Sequence, residues 1–277
     1  NGLNHVRGQR SDYDGWAELG NKGWSYPEVL PYFKRSEQRI GPGDDKVRGR
    51  DGELPITDLD LIHPVCEAFI EGAGTLGIPR NPDYNSGDQA GSGYFQRTVH
   101  KGYRHSAAKA FLRPAQRRQN VEVRTNAQAS SIIFDGRRAV GVRYVRGHRT
   151  GSMTEIRARR EVILCAGALN TPKLLQLSGI GPVDVLSDLG LDVRANVPGV
   201  GNNLRDHYGV RMVAQLKGVQ TFNSMASGLP LGFEIAKWLL GKPSLLSVSP
   251  SLVHLFWKSS PALDVPDLEF VMTPASF

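Results

Sequence analysis

Residues 161–182, EVILCAGALNTPKLLQLSGIGP, restrict the fold of this chain more than any other stretch. Val162, Ile163, Leu164 and Cys165 form an unbroken apolar run, which predicts a strand buried on both faces rather than one half in water. Ala166-Gly167-Ala168 then breaks the run with small residues that permit a sharp turn and close approach of another group. Thr171-Pro172 predicts a helix start, with threonine as cap and proline at the first helical position, where its missing N–H is no loss. Leu174, Leu175 and Leu177 supply the apolar stripe of that helix, and Gly179 its left-handed end. Strand, glycine turn and helix start together leave backbone N–H groups free to meet an anion. An ordinary α/β crossover uses the same arrangement, so both readings stay open on geometry alone.

The chain has 277 residues, 40% of them apolar, enough for one large core or two smaller ones. No run approaches the roughly 18 apolar residues that span a bilayer. The oiliest patch, at residues 236–240, is interrupted by Lys237, and the polar start does not resemble a signal peptide. Cys66 and Cys165 are too few for a disulfide framework and lack metal-ligand spacing. Cys165, inside the apolar run, is expected as inert core. These features are read as those of a cytoplasmic protein. The chain opens on Asn1 rather than methionine and stops at Phe277 just after a strand-like segment, so an internal piece of a longer protein is expected.

The formal net charge is +7, and residues 137–160 hold eight arginines. A nucleic-acid surface is one reading. The arginines are interleaved with Val140, Val142 and Val145, however, with no aromatic platform or helix-turn-helix beside them, which favours a solvated sheet face.

Ser25-Tyr26-Pro27-Glu28 predicts a helix through Ser36, with Ser25 as cap and Glu28 as its capping-box acid. Trp16, Trp24, Tyr26, Tyr32 and Phe33 are expected mostly as core anchors around it. Residues 38–60, rich in glycine, aspartate and arginine, read as a surface loop. Helical periodicity marks residues 63–76, with Val65, Ala68, Phe69 and Ala73 on one face. Gly72-Ala73-Gly74-Thr75-Leu76-Gly77 spells a dinucleotide fingerprint, but it sits at the tail of that helix instead of between a strand and a helix, so it is rejected. Gly199-Val200-Gly201-Asn202-Asn203-Leu204 lacks the third glycine. His100 and His105 are five apart with no carboxylate spaced to join them, and no metal site is assigned. Tyr94 and Phe95 line a pocket or pack in the core.

Short strands are expected at residues 121–125 and from Ile132. Asp135-Gly136 is the strongest hairpin signal in the chain, returning through Ala139 to Val145. A second turn at residues 147–151 leads to Glu155-Ile156-Arg157. A short helix is expected at 183–189, an extended stretch at 193–197, strands at 210–216, 252–257 and 268–272, and a helix near 233–240. Asp206-His207 has no paired nucleophile, and His207 is read as structural.

Several of these stretches match one family. Gly167-Ala168, Thr171-Pro172 and Ser178-Gly179-Ile180-Gly181 resemble the second signature of the glucose–methanol–choline (GMC) flavin oxidoreductases. Asn1, Arg7-Gly8, Asp12-Tyr13-Asp14-Gly15-Trp16 and Gly20-Asn21-Lys22-Gly23-Trp24 resemble the segment that follows the flavin-binding N-terminus of the family. Gly91-Ser92-Gly93-Tyr94 and Arg104-His105-Ser106-Ala107-Ala108 fit as well, as does the turn from Pro198 to His207. Arg48-Gly49 stands where the family usually has His-Gly.

The resemblance implies an α/β (α+β) fold: part of a Rossmann-like FAD-binding domain with a β-meander, plus part of an antiparallel-sheet substrate domain. The implied divisions are a flavin-contacting segment at 1–37, a connecting region at 38–118, the FAD-binding portion at 119–200 and the substrate-binding portion at 201–277. FAD is the implied cofactor, with Asn1, Gly2, Leu3, Asn4, Ala129 and Gly167 as its contacts, Ala129 standing where a valine usually meets the adenine through its backbone. The implied activity is hydride transfer from a small-molecule alcohol to the flavin, in the manner of choline-dehydrogenase-like members, with the electron acceptor unspecified. The family's catalytic histidine, its His or Asn helper and the pyrophosphate-binding fingerprint are expected outside this chain. No catalytic residue is therefore assigned within it, and the segment alone is expected to bind FAD poorly. The alternatives are another FAD-binding protein of the same fold, such as a lyase-like relative, and a basic nucleic-acid-binding module.

Overall fold

In the computed structural model, which describes residues 2–147 and 151–276, local capping chemistry sets the first elements. The Gln9 amide donates to Asp12 Oδ2 at 2.6 Å and opens α1 (Arg10–Glu18). The expected capping box opens α2 (Tyr26–Ser36): the Ser25 amide donates to Glu28 Oε2 at 3.1 Å, and Pro27 lies in the first turn. Two short strands, β1 (Glu37–Ile40) and β2 (Leu54–Thr57), pair in parallel. Next come α3 (Pro64–Thr75), β3 (Gly91–Tyr94), the hairpin of β4 (Val99–His100) with β5 (Tyr103–Arg104), a π-helical turn at Ala108–Leu112 and α4 (Arg113–Ala115).

A second compact unit, Glu122–Arg211, follows. It holds the antiparallel meander of β6 (Ala127–Asp135), β7 (Arg138–Arg146) and β8 (Met153–Arg157). The expected Asp135-Gly136 turn joins the first two strands, with Gly136 at φ 54°. The turn expected at 147–151 falls partly on residues outside those described. Then come α5 (Gly167–Gln176), β9 (Ile180–Gly181), α6 (Val183–Asp188) and β10 (Ala195–Asn196), with β9 and β10 paired in parallel. Ser178 ties this unit together. Its Oγ accepts from the Ile132 amide at 2.8 Å and donates to the Leu174 carbonyl at 2.6 Å. Arg143 pairs with Glu155 at 2.7 Å on an exposed face of the meander, in keeping with a solvated sheet.

The chain then rejoins the first unit, Asn1–Val121 with Met212–Phe277. It adds α7 (Phe222–Met225), α8 (Gly228–Leu239), β11 (Val253–Trp257) and β12 (Leu268–Met272). The strand order is β12-β11-β3, antiparallel throughout, so β11 is central and buried on both faces. Leu59, Cys66, Ile70, Phe222, Leu252 and Val253 form the main apolar cluster. Tyr84, Phe95 and Phe256 form an aromatic one. Phe95 is therefore core packing, and Tyr94 packs against the main cluster. Of the aromatic anchors expected near α2, Tyr26 is buried, whereas Trp16, Trp24 and Tyr32 stay exposed.

The segment expected to be a surface loop, 38–60, contributes Arg48 to a knot of buried, hydrogen-bonded charges. Glu37, Arg7 and Arg48 are all buried. Glu37 Oε2 accepts from Arg7 Nη2 at 2.5 Å and its Oε1 from Arg48 Nε at 2.7 Å. Arg48 also pairs with Asp83 and donates to Gln96 Oε1 at 2.9 Å, while Arg7 Nη1 reaches the Val47 carbonyl at 2.8 Å. Burial alone pushes the Glu37 carboxyl up, but hydrogen bonds from His5 and Arg48 and the charges of Arg7 and Arg48 outweigh it and hold the pKa at about 2. Glycine is obligatory beside this knot. A Cβ at Gly49 would lie 2.0 Å from the Lys34 carbonyl oxygen and 2.7 Å from that of Glu37.

Four expectations are corrected. Residues 162–165 form no strand, and Ile163 is 74% exposed. An apolar run becomes a strand only when a neighbour offers a hydrogen-bonding edge, and no ladder is formed here. Cys165 is consequently exposed, not core. Residues 121–125 and 210–216 likewise form no strands. Thr171 and Pro172 lie inside α5, because Gly167, in the left-handed region at φ 84°, turns the chain earlier than the threonine cap would. Gly179 does close the end of that segment, at φ 81°.

Gly49→Ala is expected to destabilise the protein by about 3 kcal/mol or more through backbone overlap. Glu37→Gln, which leaves the Arg7 guanidinium buried without its counter-ion and Arg48 with Asp83 alone, should cost about 3–5 kcal/mol. Urea unfolding of both variants against the parent checks this, and a change near zero for either would contradict the account of the knot. Because the Glu37 pKa is depressed, its contribution is full above pH 4.5 and lost as pH falls through about 2.

Candidate functional site

A cavity of about 690 Å³ lies in the first unit and takes its wall from residues distant in sequence. Gly2 and Leu3 form one side. Leu3 is held in the left-handed region at φ 76°, rare for a residue with a side chain. Its carbonyl accepts from the Thr98 amide at 2.8 Å and from Thr98 Oγ1 at 3.2 Å, and the His5 amide donates to the Gln96 carbonyl at 2.8 Å. The opening residues are thus fixed against residues 96–98. A Cβ on Gly2 would approach Pro250 Cδ to 3.3 Å, so the backbone there lies close to the opposite wall.

That wall is built from Phe222, Ala226, Leu245, Val248, Ser249 and Pro250, with Thr273, Ala275 and Ser276 beside it. Phe222 is positioned from its backbone, its amide donating to the Pro274 carbonyl at 2.8 Å. Asn223 and Ser276 exchange two hydrogen bonds, at 2.8 and 2.9 Å. Arg97, buried behind the site, donates to the Ser247 carbonyl at 2.6 Å and pairs with Asp60 at 2.6 Å, which fixes the 245–250 segment. The lining is mostly apolar, and Arg104 is its one charged side chain among the described residues. A mostly apolar cavity with a few fixed polar groups is the usual form of a small-molecule site.

Of the six expected cofactor contacts, Gly2 and Leu3 line this cavity. Asn4 follows them and carries a buried Oδ1 with no hydrogen-bond partner. Asn1 lies outside the described residues. Ala129 and Gly167 belong to the second unit. Ala129 sits in β6 opposite Tyr144, where the pairing slips before Ser131. Gly167 stands exposed at the start of α5, with nothing within 4 Å of where a Cβ would be, so its turn leaves open space for an approaching group.

The rejected motifs stay outside any site. Gly72 and Gly74 lie in the last turns of α3, and Gly77 closes it at φ 81°. Asp206 and His207 are exposed and outside any helix or strand. The His100 and His105 rings meet edge to face at 6.3 Å, and among the described residues no group of histidines, cysteines and carboxylates is arranged to hold a metal ion. Burial pushes the Cys66 thiol up to about 12, which leaves it protonated and unreactive.

Motif reading missed the wall residues Phe222, Ser249 and Ser276, which carry no local signal, and it missed His254. On the central strand β11, His254 is fully buried against Tyr84, Phe95 and Phe256, with ring centroids 4.3, 5.3 and 5.1 Å away. Neither ring nitrogen makes a well-formed hydrogen bond, the Asn81 carbonyl offering only a partial partner. Burial lowers the pKa to about 3, so the ring is neutral at physiological pH.

Residues 1–209 match the family described as GMC oxidoreductase, and the chain belongs to that family. It is 41% identical over 280 aligned residues to an oxygen-dependent choline dehydrogenase of Sinorhizobium medicae (strain WSM419), covering 100% of this chain and 49% of that one. The chain thus spans about half the length of the curated relatives it matches. Among solved structures it is similar to an FAD-dependent oxidoreductase from Chaetomium thermophilum, with a TM-score of 0.82 at 28% identity over 92% of this chain and 47% of that one. It is also similar to a pyridoxine 4-oxidase from Mesorbium loti, with a TM-score of 0.64 at 35% identity over 71% and 38% of the two chains.

His254 makes the fold acid-sensitive. Its folded pKa lies below the unfolded value of 6.5, so stability is full above that pH and falls as pH drops toward about 3. In urea unfolding followed across that range, His254→Leu should flatten the loss between pH 6 and 4, whereas an unchanged slope would show that another group drives it.

Proposed function

We propose that the polypeptide containing this chain is an FAD-dependent oxidoreductase that converts an alcohol to the corresponding carbonyl compound. The reading rests on one observation above all. Residues that resemble the cofactor-facing opening segment of the family, Gly2 and Leu3, line the cavity of about 690 Å³ in the first unit, and the next residue carries an orphaned buried amide oxygen.

The residues present fit a flavin nucleotide. Asn4 Oδ1 is an unshared acceptor, suited to a ring N–H or a ribityl hydroxyl. Gly2 and Leu3 line the cavity, and Gly2 has only backbone to present to it. In the second unit, Gly167 leaves the start of α5 uncovered, where amide N–H groups favour an anion. Ala129 offers backbone at a break in the pairing of β6 and β7. FAD bound there would supply the acceptor for the hydride of the alcohol carbon. The work of this chain is to hold and to orient: Thr98 and Gln96 fix residues 3–5, and the apolar wall from Phe222 to Pro250 keeps water away from the reacting carbon. The base that takes the hydroxyl proton is assigned to a histidine outside these residues, as the family resemblance implies.

The proposed substrate is a choline-type alcohol, the class named for the rhizobial relatives. Phe222 supplies an aromatic ring at the cavity, the kind of group that attracts a quaternary ammonium.

The complete polypeptide is expected to purify with bound flavin, shown by its visible absorbance, and to lose that colour when choline is added without oxygen. The 277-residue chain alone should bind flavin weakly and show no turnover. A colourless complete polypeptide would overturn the proposal. Bleaching by the neutral carbon isostere of choline but not by choline would overturn the substrate assignment alone. Turnover with oxygen, compared with a dye acceptor, separates oxidase from dehydrogenase.

A further inference from the structure

The wall opposite Gly2 and Leu3 is carried by residues 244–250, whose only regular element is the single 3-10 turn Leu245–Ser247. No strand ladder reaches this segment, so side chains must hold its backbone groups. Two buried charges of opposite sign do so. Glu234, the one buried residue of α8, accepts from the Leu245 amide at 2.8 Å. Arg97, 3% exposed, donates from Nη1 to the Ser247 carbonyl at 2.6 Å. Two serines tighten the segment on itself: Ser244 Oγ accepts from the Leu246 amide at 3.2 Å, and Ser249 Oγ donates to the Ser251 carbonyl at 2.6 Å.

The two clamps differ in reach. Glu234 is 11 residues from Leu245 and holds the segment to the helix that precedes it. Arg97 is 150 residues from Ser247, and its own backbone belongs to the other side of the cavity. It forms an antiparallel bridge with Asn4, flanked by the His5 amide on the Gln96 carbonyl and the Thr98 amide on the Leu3 carbonyl, both at 2.8 Å. On its other edge it exchanges both backbone hydrogen bonds with Thr57, at 2.9 and 3.0 Å. The guanidinium is fixed as well, because Nη2 pairs with the half-exposed Asp60 at 2.6 Å while Nη1 takes Ser247. Its planar fork holds these two partners at a set separation, which a flexible ammonium does not. One residue thus fastens both the segment read as facing the flavin and the apolar wall, and a single side chain spans the space between them.

We propose that Arg97 is a positioning residue for substrate choice: by fixing residues 245–250 relative to residues 2–5, it sets the width of the cavity and so the size of the alcohol that fits. The inference rests on the reading of that cavity as the alcohol site. The side chains of Leu245, Val248 and Pro250 offer a substrate only apolar atoms, so they discriminate by fit, and fit holds only while the wall cannot retreat.

Two readings on the complete polypeptide test this. Hydrogen exchange, followed by mass spectrometry, is compared for residues 244–250 in the parent and in Arg97→Met. That segment should exchange at least about tenfold faster in the variant, as loss of a hydrogen bond from a charged donor implies, while β11 keeps the parent rate. Selectivity is read as kcat/KM per bound flavin for choline and for its triethylammonium homologue. The parent should prefer choline by at least about tenfold, and the variant should lose most of that preference through a lower KM for the larger alcohol. An unchanged selectivity in the variant, or unchanged exchange of the segment, overturns the proposal. So does a parent that takes both alcohols equally. Should Arg97→Met fail to fold, Arg97→Lys decides by the same two readings, since the ammonium keeps the charge but not the fork. A complete polypeptide that oxidises neither alcohol refutes the functional reading instead, and exchange of residues 244–250 alone then decides whether Arg97 holds the wall.

Discussion

A carboxylate removed from water and shared by two guanidinium groups organises the first unit. Glu37 begins the strand that follows α2, Arg7 belongs to the segment leading away from the cavity, and Arg48 comes from the stretch between β1 and β2. Each charge is costly to bury alone, and together they satisfy one another only when all three segments are in place. The hydrogen bonds continue outward from Arg48 to Asp83 and Gln96, and from Arg7 to Asn85. Gln96 carries the carbonyl that receives the His5 amide. The same network that satisfies buried charge therefore also sets the position of residues 2–5 at the cavity.

This knot explains why residues 38–60 were misread. Glycine, aspartate and arginine in a short stretch are the composition of a surface loop, and burial of an arginine depends on partners far along the chain. Nothing within residues 38–60 announces Asp83 or Gln96. Features whose cause lies within a few residues were legible: the Ser25 and Glu28 cap, the Asp135-Gly136 hairpin, the left-handed Gly179. Residues 162–165 failed for the opposite reason. Their apolar run expresses a preference for burial that only neighbouring strands could satisfy, and the exposure of Ile163 and Cys165 follows from the lack of a paired edge. At the cavity, Gly2 and Leu3 were reached only through family resemblance, while Phe222 and Ser249 carry no motif and are gathered by the tertiary fold alone.

His254 and Glu234 show two further uses of buried polarity in the same unit. The imidazole fills an aromatic box and stays neutral, behaving as a flat, compact packing group whose polarity appears only in acid. Glu234 keeps its charge by taking hydrogen bonds from the Leu245 amide and Lys237, and so anchors the turn after α8 to the helix. In that helix the polar residue does the packing and the apolar residues are left for the surface, the reverse of the usual division.

In the second unit the hydroxyl of Ser178 has a consequence for solubility. β6 is an outer strand of its three-stranded sheet, and an unpaired rim of amides and carbonyls is a template onto which a stranger's backbone can zip. The Ile132 amide, midway along that rim, is already engaged by the serine. A foreign strand would have to pull the hydroxyl away and leave the carbonyl of Leu174 without its donor, so one side chain in the turn that ends a neighbouring helix becomes a guard against fibre growth.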